Sequence, residues 1–252
     1  MNELDQARRQ IAQLQQQLAQ AGQALEDFTY SVSHDLRASL RHVSAYLKIV
    51  REDLGGTVDA GIASHLDTAG DAAAHMARLM DGLLELSRVG RAELHLGDVD
   101  LCRLVADVRH QLEASTAQRQ IVWQVASDLP VVRGDTALLG QMFAHLLTNA
   151  VKFTRDCPLA TIDIGWTRLP DGACTLHIQD NGVGFDSRLQ ERLFHVFQRL
   201  HSVKQFEGIG IGLALARRVA ERHGGSIRAQ GSIGAGCRIS LTLPAPAVAA
   251  AP

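Results

Sequence analysis

Ser33-His34-Asp35-Leu36-Arg37 lies inside a helical pattern that runs unbroken on both sides of it, and its reading decides how the first third of the chain is built. Neutral imidazole is a good nitrogen nucleophile near neutral pH, because its unperturbed pKa is about 6.5. A carboxylate beside it can orient the ring and accept its second proton as the free nitrogen attacks. Alone, such a helical His-Asp pair reads as an ordinary solvated surface pair. It gains weight from two features outside it: a helix built to associate, and a distant constellation of Asn, Asp and Gly.

Upstream, residues 1–27 are rich in Gln, Ala and Leu, with no Pro and one Gly. Apolar residues fall at Leu4, Ala7, Ile11, Leu14, Leu18, Ala21, Leu25, Phe28 and Val32, in alternating steps of 3 and 4. That is a heptad seam, and it predicts a two-stranded coiled coil in preference to a lone amphipathic helix. His34, two residues past Val32, lies about 200° around the helix and faces away from the seam. The helix continues through Leu36, Leu40, Val43, Leu47 and Val50, and Leu54-Gly55-Gly56-Thr57 reads as its C-cap and turn. A second pattern follows at Ile62, Leu66, Ala69, Ala73, Met76, Met80, Leu83 and Leu86, ending near Val89-Gly90. Two helices of about 30 residues with one apolar stripe each predict an antiparallel hairpin that pairs with a second copy in a four-helix bundle. A homodimer is the expectation.

Composition narrows the class. The 252 residues are 46% hydrophobic with a net charge of −2, so there is no basic footprint and nucleic acid is not an expected partner. Cys102, Cys157, Cys174 and Cys237 are scattered without a CxxC pair, which argues against zinc and disulfides and fits a reducing, cytoplasmic setting. No apolar run approaches the roughly 18 residues a membrane span needs. The expectation is a soluble, cytoplasmic chain, or the cytoplasmic end of a longer sensor.

From Glu93 the pattern changes. Strand-like runs occur at Leu94–Leu96, Ile121–Val125, Thr161–Trp166, Thr175–Ile178, Ser226–Ala229 and Arg238–Leu243, with helical stretches at Leu101–Ser115, Thr136–Phe153 and Gly210–His223. This predicts an α+β sandwich of one sheet under a helical layer. The expected organisation is a coiled coil over 1–27, a helical hairpin over 28–91, the sandwich over 92–244 and a disordered Pro-Ala tail over 245–252.

The second constellation begins with Thr148-Asn149-Ala150-Val151-Lys152-Phe153 at the end of a long helix. An Asn oxygen there can ligate Mg²⁺ and Lys152 can meet a phosphate, though a solvated helix end reads the same way. Asp180-Asn181-Gly182-Val183-Gly184-Phe185 follows a strand. Gly182 and Gly184 let the backbone approach a planar ligand, and Asp180 can accept from an exocyclic amine such as adenine's; equally, DxGxG is common in plain turns. Gly208-Ile209-Gly210-Ile211-Gly212-Leu213 opens a helix, a ready anion site. It lacks the early-strand setting of a dinucleotide fold. Between the glycine motifs, Leu193-Phe194-His195-Val196-Phe197-Gln198-Arg199 leads into a polar segment, Leu200 to Glu207, that reads as a mobile flap over a phosphate with Arg199 as its charge clamp.

The order Asn, DxGxG, Phe/Arg, GxGxG behind a His helix resembles the sensor histidine kinases of two-component signalling, over roughly residues 28–244. SHDLR resembles the H box, TNAVKF the N box, DNGVGF the G1 box, LFHVFQR the F box and GIGIGLA the G2 box. FQRLH, GIGIGLA and ERHGG together are most similar to the phytochrome-like branch. The resemblance implies a dimerisation and phosphoacceptor hairpin followed by an ATP-binding sandwich of the gyrase and heat-shock chaperone type. It implies His34 as phosphoacceptor with Asp35 as its acid/base partner, Asn149 on Mg²⁺, Lys152 on phosphate and Asp180 on adenine. Gly182 and Gly184 then frame the pocket, while Gly208, Gly210 and Gly212 shape the flap's hinge and phosphate contacts. The implied activity is Mg·ATP-dependent phosphorylation of His34 and transfer to a response-regulator aspartate.

Three positions depart from the family pattern. Ala38 stands where a Thr or Asn often supports dephosphorylation of the partner. Ser39 replaces a frequent Pro and so removes an expected kink. His145 replaces the first N-box Asn, which bears on metal contacts. Two other readings stay open on the residues alone: a related ATPase that uses hydrolysis for clamp closure, and a silent dimeric scaffold. The first needs a glutamate base where His145 stands, and the second leaves Asn149, Asp180 and the glycines without a purpose.

Overall fold

The computed structural model describes residues 3–55, 59–202 and 205–245. The chain divides into two compact units, Met1–Gly90 and Arg91–Pro252. Of the regions read from sequence, Gly56 and Thr57, part of the polar segment before Glu207 and most of the tail lie outside the described residues.

The first unit is two helices, α1 (Glu3–Leu54) and α2 (Ala60–Arg91). At 52 residues α1 is longer than either helix of the expected hairpin, because the seam and the His34 segment share one uninterrupted element. Ser39 does not interrupt it: its Oγ donates back to the Asp35 carbonyl at 3.2 Å, a bond made within the helix. Gly55 stops α1 in the left-handed region at φ 58°, which costs a glycine nothing. Asp59 then accepts from the Gly61 amide at 2.6 Å as α2 begins.

The helices run antiparallel and are tied by two ion pairs, Arg37–Asp81 and Arg51–Asp67, whose ends are 14 residues apart on each helix. That equal spacing fixes their register. Ser33 is 1% exposed and Ala73 equally buried, so one face of each helix is closed. Another face stays open, with Ile11, Leu14, Leu18, Phe28, Leu36, Val43, Ile62 and Met76 exposed. No helix among the described residues is long and apolar enough to cross a membrane.

The second unit is the expected sheet under a helical layer. Its strands are β1 (Gly97–Asp100), β2 (Ile121–Val125), β3 (Val131–Gly134), β4 (Ala160–Arg168), β5 (Cys174–Asp180), β6 (Ser226–Gly231) and β7 (Cys237–Leu243). Its helices are α3 (Leu101–Thr116), α4 (Thr136–Phe153) and α5 (Gly212–Arg222), with a 3₁₀ helix at Ser187–Phe194. Five strands pair in the order β2-β4-β5-β7-β6, antiparallel except for β2 with β4, while β1 and β3 form a separate antiparallel pair. Alternate residues of β4 and β5, among them Ile162, Ile164, Leu176 and Ile178, are buried, and so are Leu139, Phe143 and Leu147 of α4 with Leu215 and Val219 of α5. The alternate positions on the strands are polar, with His177 bonded to Asp163 at 2.7 Å and Gln179 to Arg238 at 3.0 Å.

One strand expectation is corrected and one strand was not anticipated. Leu94–Leu96 is not a strand, because the His95 amide is taken by the Asp135 carboxylate at 3.0 Å and not by a ladder; pairing starts at Gly97. The short Val131–Gly134 strand carries no pattern of its own and exists through its pairing with β1. The last helix begins at Gly212 rather than Gly210, since Gly210 sits at φ 75°, outside helical space.

Candidate active site

The site is built from the end of α4, the end of β5 and the start of α5. Asp135 starts α4, its carboxylate accepting from the amides of Ala137 (3.0 Å) and Leu138 (3.1 Å). Burial would raise its pKa, but the amides of Leu138, His95 and Ala137 outweigh burial and hold it below the ordinary carboxylate value. The Asp135 amide in turn donates to Nε2 of buried His223 at 2.9 Å, while His223 Nδ1 stands 2.8 Å from the Val219 carbonyl. A carbonyl only accepts, so Nδ1 carries the hydrogen and Nε2 receives. One histidine thereby clamps the end of α5 to the start of α4.

At its other end α4 carries His145, Asn149 and Lys152. Asp180 closes β5 and is 7% exposed. Its Oδ1 accepts from the amides of Gly182 (2.9 Å) and Cys237 (3.3 Å). Burial pushes its pKa up to about 6 despite those two donors. The same burial, with the Asp180 charge beside it, raises the Cys237 thiol to about 12 and leaves it inert. Asn181 ties the turn to β4, accepting from the Thr161 amide at 2.8 Å and donating to the Leu159 carbonyl at 3.0 Å.

The two glycines of this turn are required by the protein's own chain. A Cβ on Gly182 would overlap the Phe153 carbonyl, whose oxygen accepts from Val183 at 3.2 Å. A Cβ on Gly184, at φ 61°, would overlap the Ser232 carbonyl. The turn after β5 is thus pressed against the end of α4 and the β6–β7 connection.

Beyond the 3₁₀ helix, Phe197 is the one non-glycine residue with positive φ (63°) among the described residues. Its amide donates to the Gly210 carbonyl at 2.9 Å, and a Cβ on Gly210 would sit 2.5 Å from the Gln198 carbonyl oxygen. Arg199 donates to the carbonyls of Gly208 (2.6 Å) and Phe206. Lys152 Nζ donates to the Glu207 carbonyl at 3.3 Å, and Arg155 pairs with the Glu207 carboxylate at 2.9 Å. Burial, with Arg199 and Arg155 nearby, pulls the Lys152 pKa below its ordinary value, and Glu207 opposes the shift. Gly212 starts α5 beside His145, whose Nδ1 would lie 3.3 Å from a Cβ there.

The contacts above bring Lys152, Asp180, Gly182, Gly184, Arg199, Gly208, Gly210 and Gly212 together at one end of the second unit, and Asn149 lies one turn before Lys152 on α4. His34 and Asp35 belong to the first unit. There His34 Nδ1 stands 3.3 Å from Asp35 Oδ1, both side chains being well exposed. An ionised carboxylate only accepts, so Nδ1 carries the hydrogen and Nε2 keeps the nucleophilic lone pair.

Sequence reasoning missed Arg155, His201, Phe206 and Glu207. His201 was visible only as part of FQRLH, and nothing in the sequence tells which side chains of the polar segment fold back on α4. Among the described residues no cluster of three His, Cys, Asp or Glu is placed to hold a metal. Asn149 is half-buried, and its one amide oxygen suits Mg²⁺, an ion that keeps most of its ligands as water and substrate phosphate.

Residues 134–247 match the family described as histidine kinase-, DNA gyrase B-, and HSP90-like ATPase. Cyanobacterial phytochrome B of Nostoc sp. strain PCC 7120 is 34% identical over 93% of this chain and 31% of its own length. The methanogenesis regulatory histidine kinase FilI of Methanothrix harundinacea is 33% identical over 88% of this chain and 25% of its own. The crystal structure of full-length ShkA in complex with AMPPNP superposes with a TM-score of 0.63 at 25% identity, covering 88% of this chain and 47% of that one. The chain spans about a third or less of the length of the curated relatives it matches. Residues 134–247 are thus similar to the histidine kinase-, DNA gyrase B-, and HSP90-like ATPase family, in a chain whose relatives include phytochrome-type proteins and histidine kinases.

Proposed function

We propose that this chain is the kinase part of a two-component sensor: a dimeric, Mg·ATP-dependent protein histidine kinase that phosphorylates His34 and passes the phosphoryl group to a response-regulator aspartate. The observation that supports the reading is a buried carboxylate, Asp180, whose glycine turn packs against the end of α4, the helix that carries Asn149 and Lys152. Asp180 accepts from the adenine amine in a site where water competes little. Asn149 would hold a magnesium ion, which would supply charge neutralisation at the phosphates. Lys152 and Arg199 exchange flap carbonyls for phosphate oxygens, a gain because charge-assisted bonds to phosphate are the stronger kind.

At the acceptor, Asp35 fixes the tautomer and His34 Nε2 attacks the γ-phosphorus. The N–P bond forms as the bond from phosphorus to the β,γ-bridging oxygen breaks, ADP leaves, and Asp35 takes the Nδ1 proton. The open apolar faces of α1 and α2 support a homodimer, because a second copy of the same helix pair would cover them as a four-helix bundle.

The test is incubation of the purified protein with Mg²⁺ and γ-labelled ATP. The expected product is acid-labile, alkali-stable phosphate on the protein, absent from His34→Gln, which still binds nucleotide. Absence of label from the unmodified protein overturns the kinase reading. Label that survives in His34→Gln moves the acceptor elsewhere, with His42 next on the same helix.

A further inference from the structure

His201 is joined to three separate parts of the nucleotide site. Its Nε2 stands 3.0 Å from the Gly184 carbonyl oxygen, in the turn that follows Asp180. Its ring lies 5.4 Å from that of Phe153, the neighbour of Lys152 at the end of α4. The same ring meets Phe206 edge-on at 5.3 Å, and the Phe206 carbonyl is one of the two that Arg199 holds. Phe153 and Phe206 close the trio at 5.0 Å. A carbonyl only accepts, so Nε2 carries the hydrogen and donates it to Gly184.

The Gly184 carbonyl is where such a bond matters. Gly184 sits in the left-handed region, and two residues earlier the Gly182 amide is bound to Asp180 Oδ1. Asn181 and Val183 fix the earlier part of the turn through Thr161, Leu159, Phe153 and Gly234. But glycine leaves the next peptide plane free to rotate, so the Gly184 carbonyl needs a partner of its own. His201 supplies it from the flap side.

We propose that His201 is a positioning residue for the base-binding end of the site: its bond to Gly184 holds the Gly182–Gly184 turn so that Asp180 presents its carboxylate to the nucleotide base. The inference rests on the nucleotide reading given above. It acts through the turn and not on the phosphates, so di- and triphosphate should respond alike.

Two substitutions separate the ring from the donor. His201→Phe keeps a ring between Phe153 and Phe206 and removes the donor; His201→Gln places an amide nitrogen near the Nε2 position and removes the ring. Calorimetric titration of the whole chain with ADP and with Mg·ATP is expected to show His201→Phe weaker by about fivefold for both, the loss of one neutral hydrogen bond. His201→Gln should return to within about twofold of the unmodified protein, and phosphorylation at saturating ATP should keep its kcat while KM rises. A role in folding alone would lower the melting temperature and leave the affinity of the folded protein unchanged. Unchanged affinity in His201→Phe, or His201→Gln binding no better than His201→Phe, overturns the proposal. If His201→Phe does not fold, His201→Ala takes its place, and equal affinities of the Ala and Gln variants overturn it. Unmodified protein that binds neither nucleotide sinks the nucleotide reading, and this inference with it.

Discussion

The amide of Cys237 donates to Oδ1 of Asp180 across 3.3 Å, joining the first residue of β7 to the last of β5. The Gly182 amide converges on the same oxygen. A carboxylate buried this deeply and given only two neutral donors is costly to ionise, which is why its pKa climbs to about 6.

The stability consequence has a definite sign. The folded protein binds the Asp180 proton up to about pH 6, whereas the unfolded chain releases it near 3.8. The stabilisation from the protonated form is therefore complete below pH 3.8 and lost as pH rises through about 6, leaving an ionised carboxylate that costs up to about 3 kcal/mol at pH 7. Asp180→Asn, which keeps the Oδ1 acceptor, should raise the melting temperature at pH 7 and much less at pH 4. ATP affinity should fall by roughly ten- to a hundredfold as the charge-assisted bond is lost. Thermal melts at the two pH values and calorimetry check both halves. A variant less stable at pH 7, or one that binds ATP as before, contradicts the assignment.

Gly184→Ala should destabilise the second unit by at least about 3 kcal/mol, combining left-handed strain with overlap on the Ser232 carbonyl. Gly140→Ala is the contrast, since it lies within α4 with nothing within 4 Å of a new Cβ. It should stabilise by up to about 1 kcal/mol. Denaturant midpoints compare the two directly. Equal effects would mean that the turn after β5 relaxes freely.

The exposed seam predicts a dimer. Light scattering of the unmodified chain should give twice its 27.3 kDa mass. Phe28→Glu buries an unpaired charge in the associated seam and should weaken association by roughly 3 kcal/mol or more, with a concentration-dependent shift to monomer. Phe28 is 66% exposed in the protomer, so the monomer itself should keep its helicity.

Ala38 stands one turn after His34 on the unbroken α1, on the same helical face, and its methyl group can hold no water in line with a docked aspartyl phosphate. Weak phosphatase activity is expected. Ala38→Thr should speed decay of a phosphorylated cognate regulator by at least about tenfold in the presence of ADP, while His34 phosphorylation survives. Rapid decay driven by the unmodified chain, undiminished in His34→Gln, would count against the idea.

Local patterns in the sequence were enough for the elements whose signals lie within a few turns of chain. The 3-and-4 spacing from Leu4 to Val32 demands a long helix with one apolar face, and Thr136–Phe153 declares both its ends. The glycines of DNGVG and GIGIG marked where main chain must come close, and Asn149, Lys152 and Asp180 were legible because their order along the chain resembles a known one.

Tertiary structure alone decided what depends on a partner far away in the chain. Val131–Gly134 becomes a strand only because Gly97–Asp100 pairs with it. His223 looks like any helix-ending polar residue until the Asp135 amide, 88 positions away, finds its Nε2. Gly184 was read as room for a ligand, and its immediate neighbour is the Ser232 carbonyl. Arg199 was read as a phosphate clamp, and it holds the carbonyls of Phe206 and Gly208. In each case the side chain's chemistry was plain from its type, but hydrogen bonding and burial act over a few ångströms of space. Only the packing of α4, α5 and the sheet brings those atoms within reach.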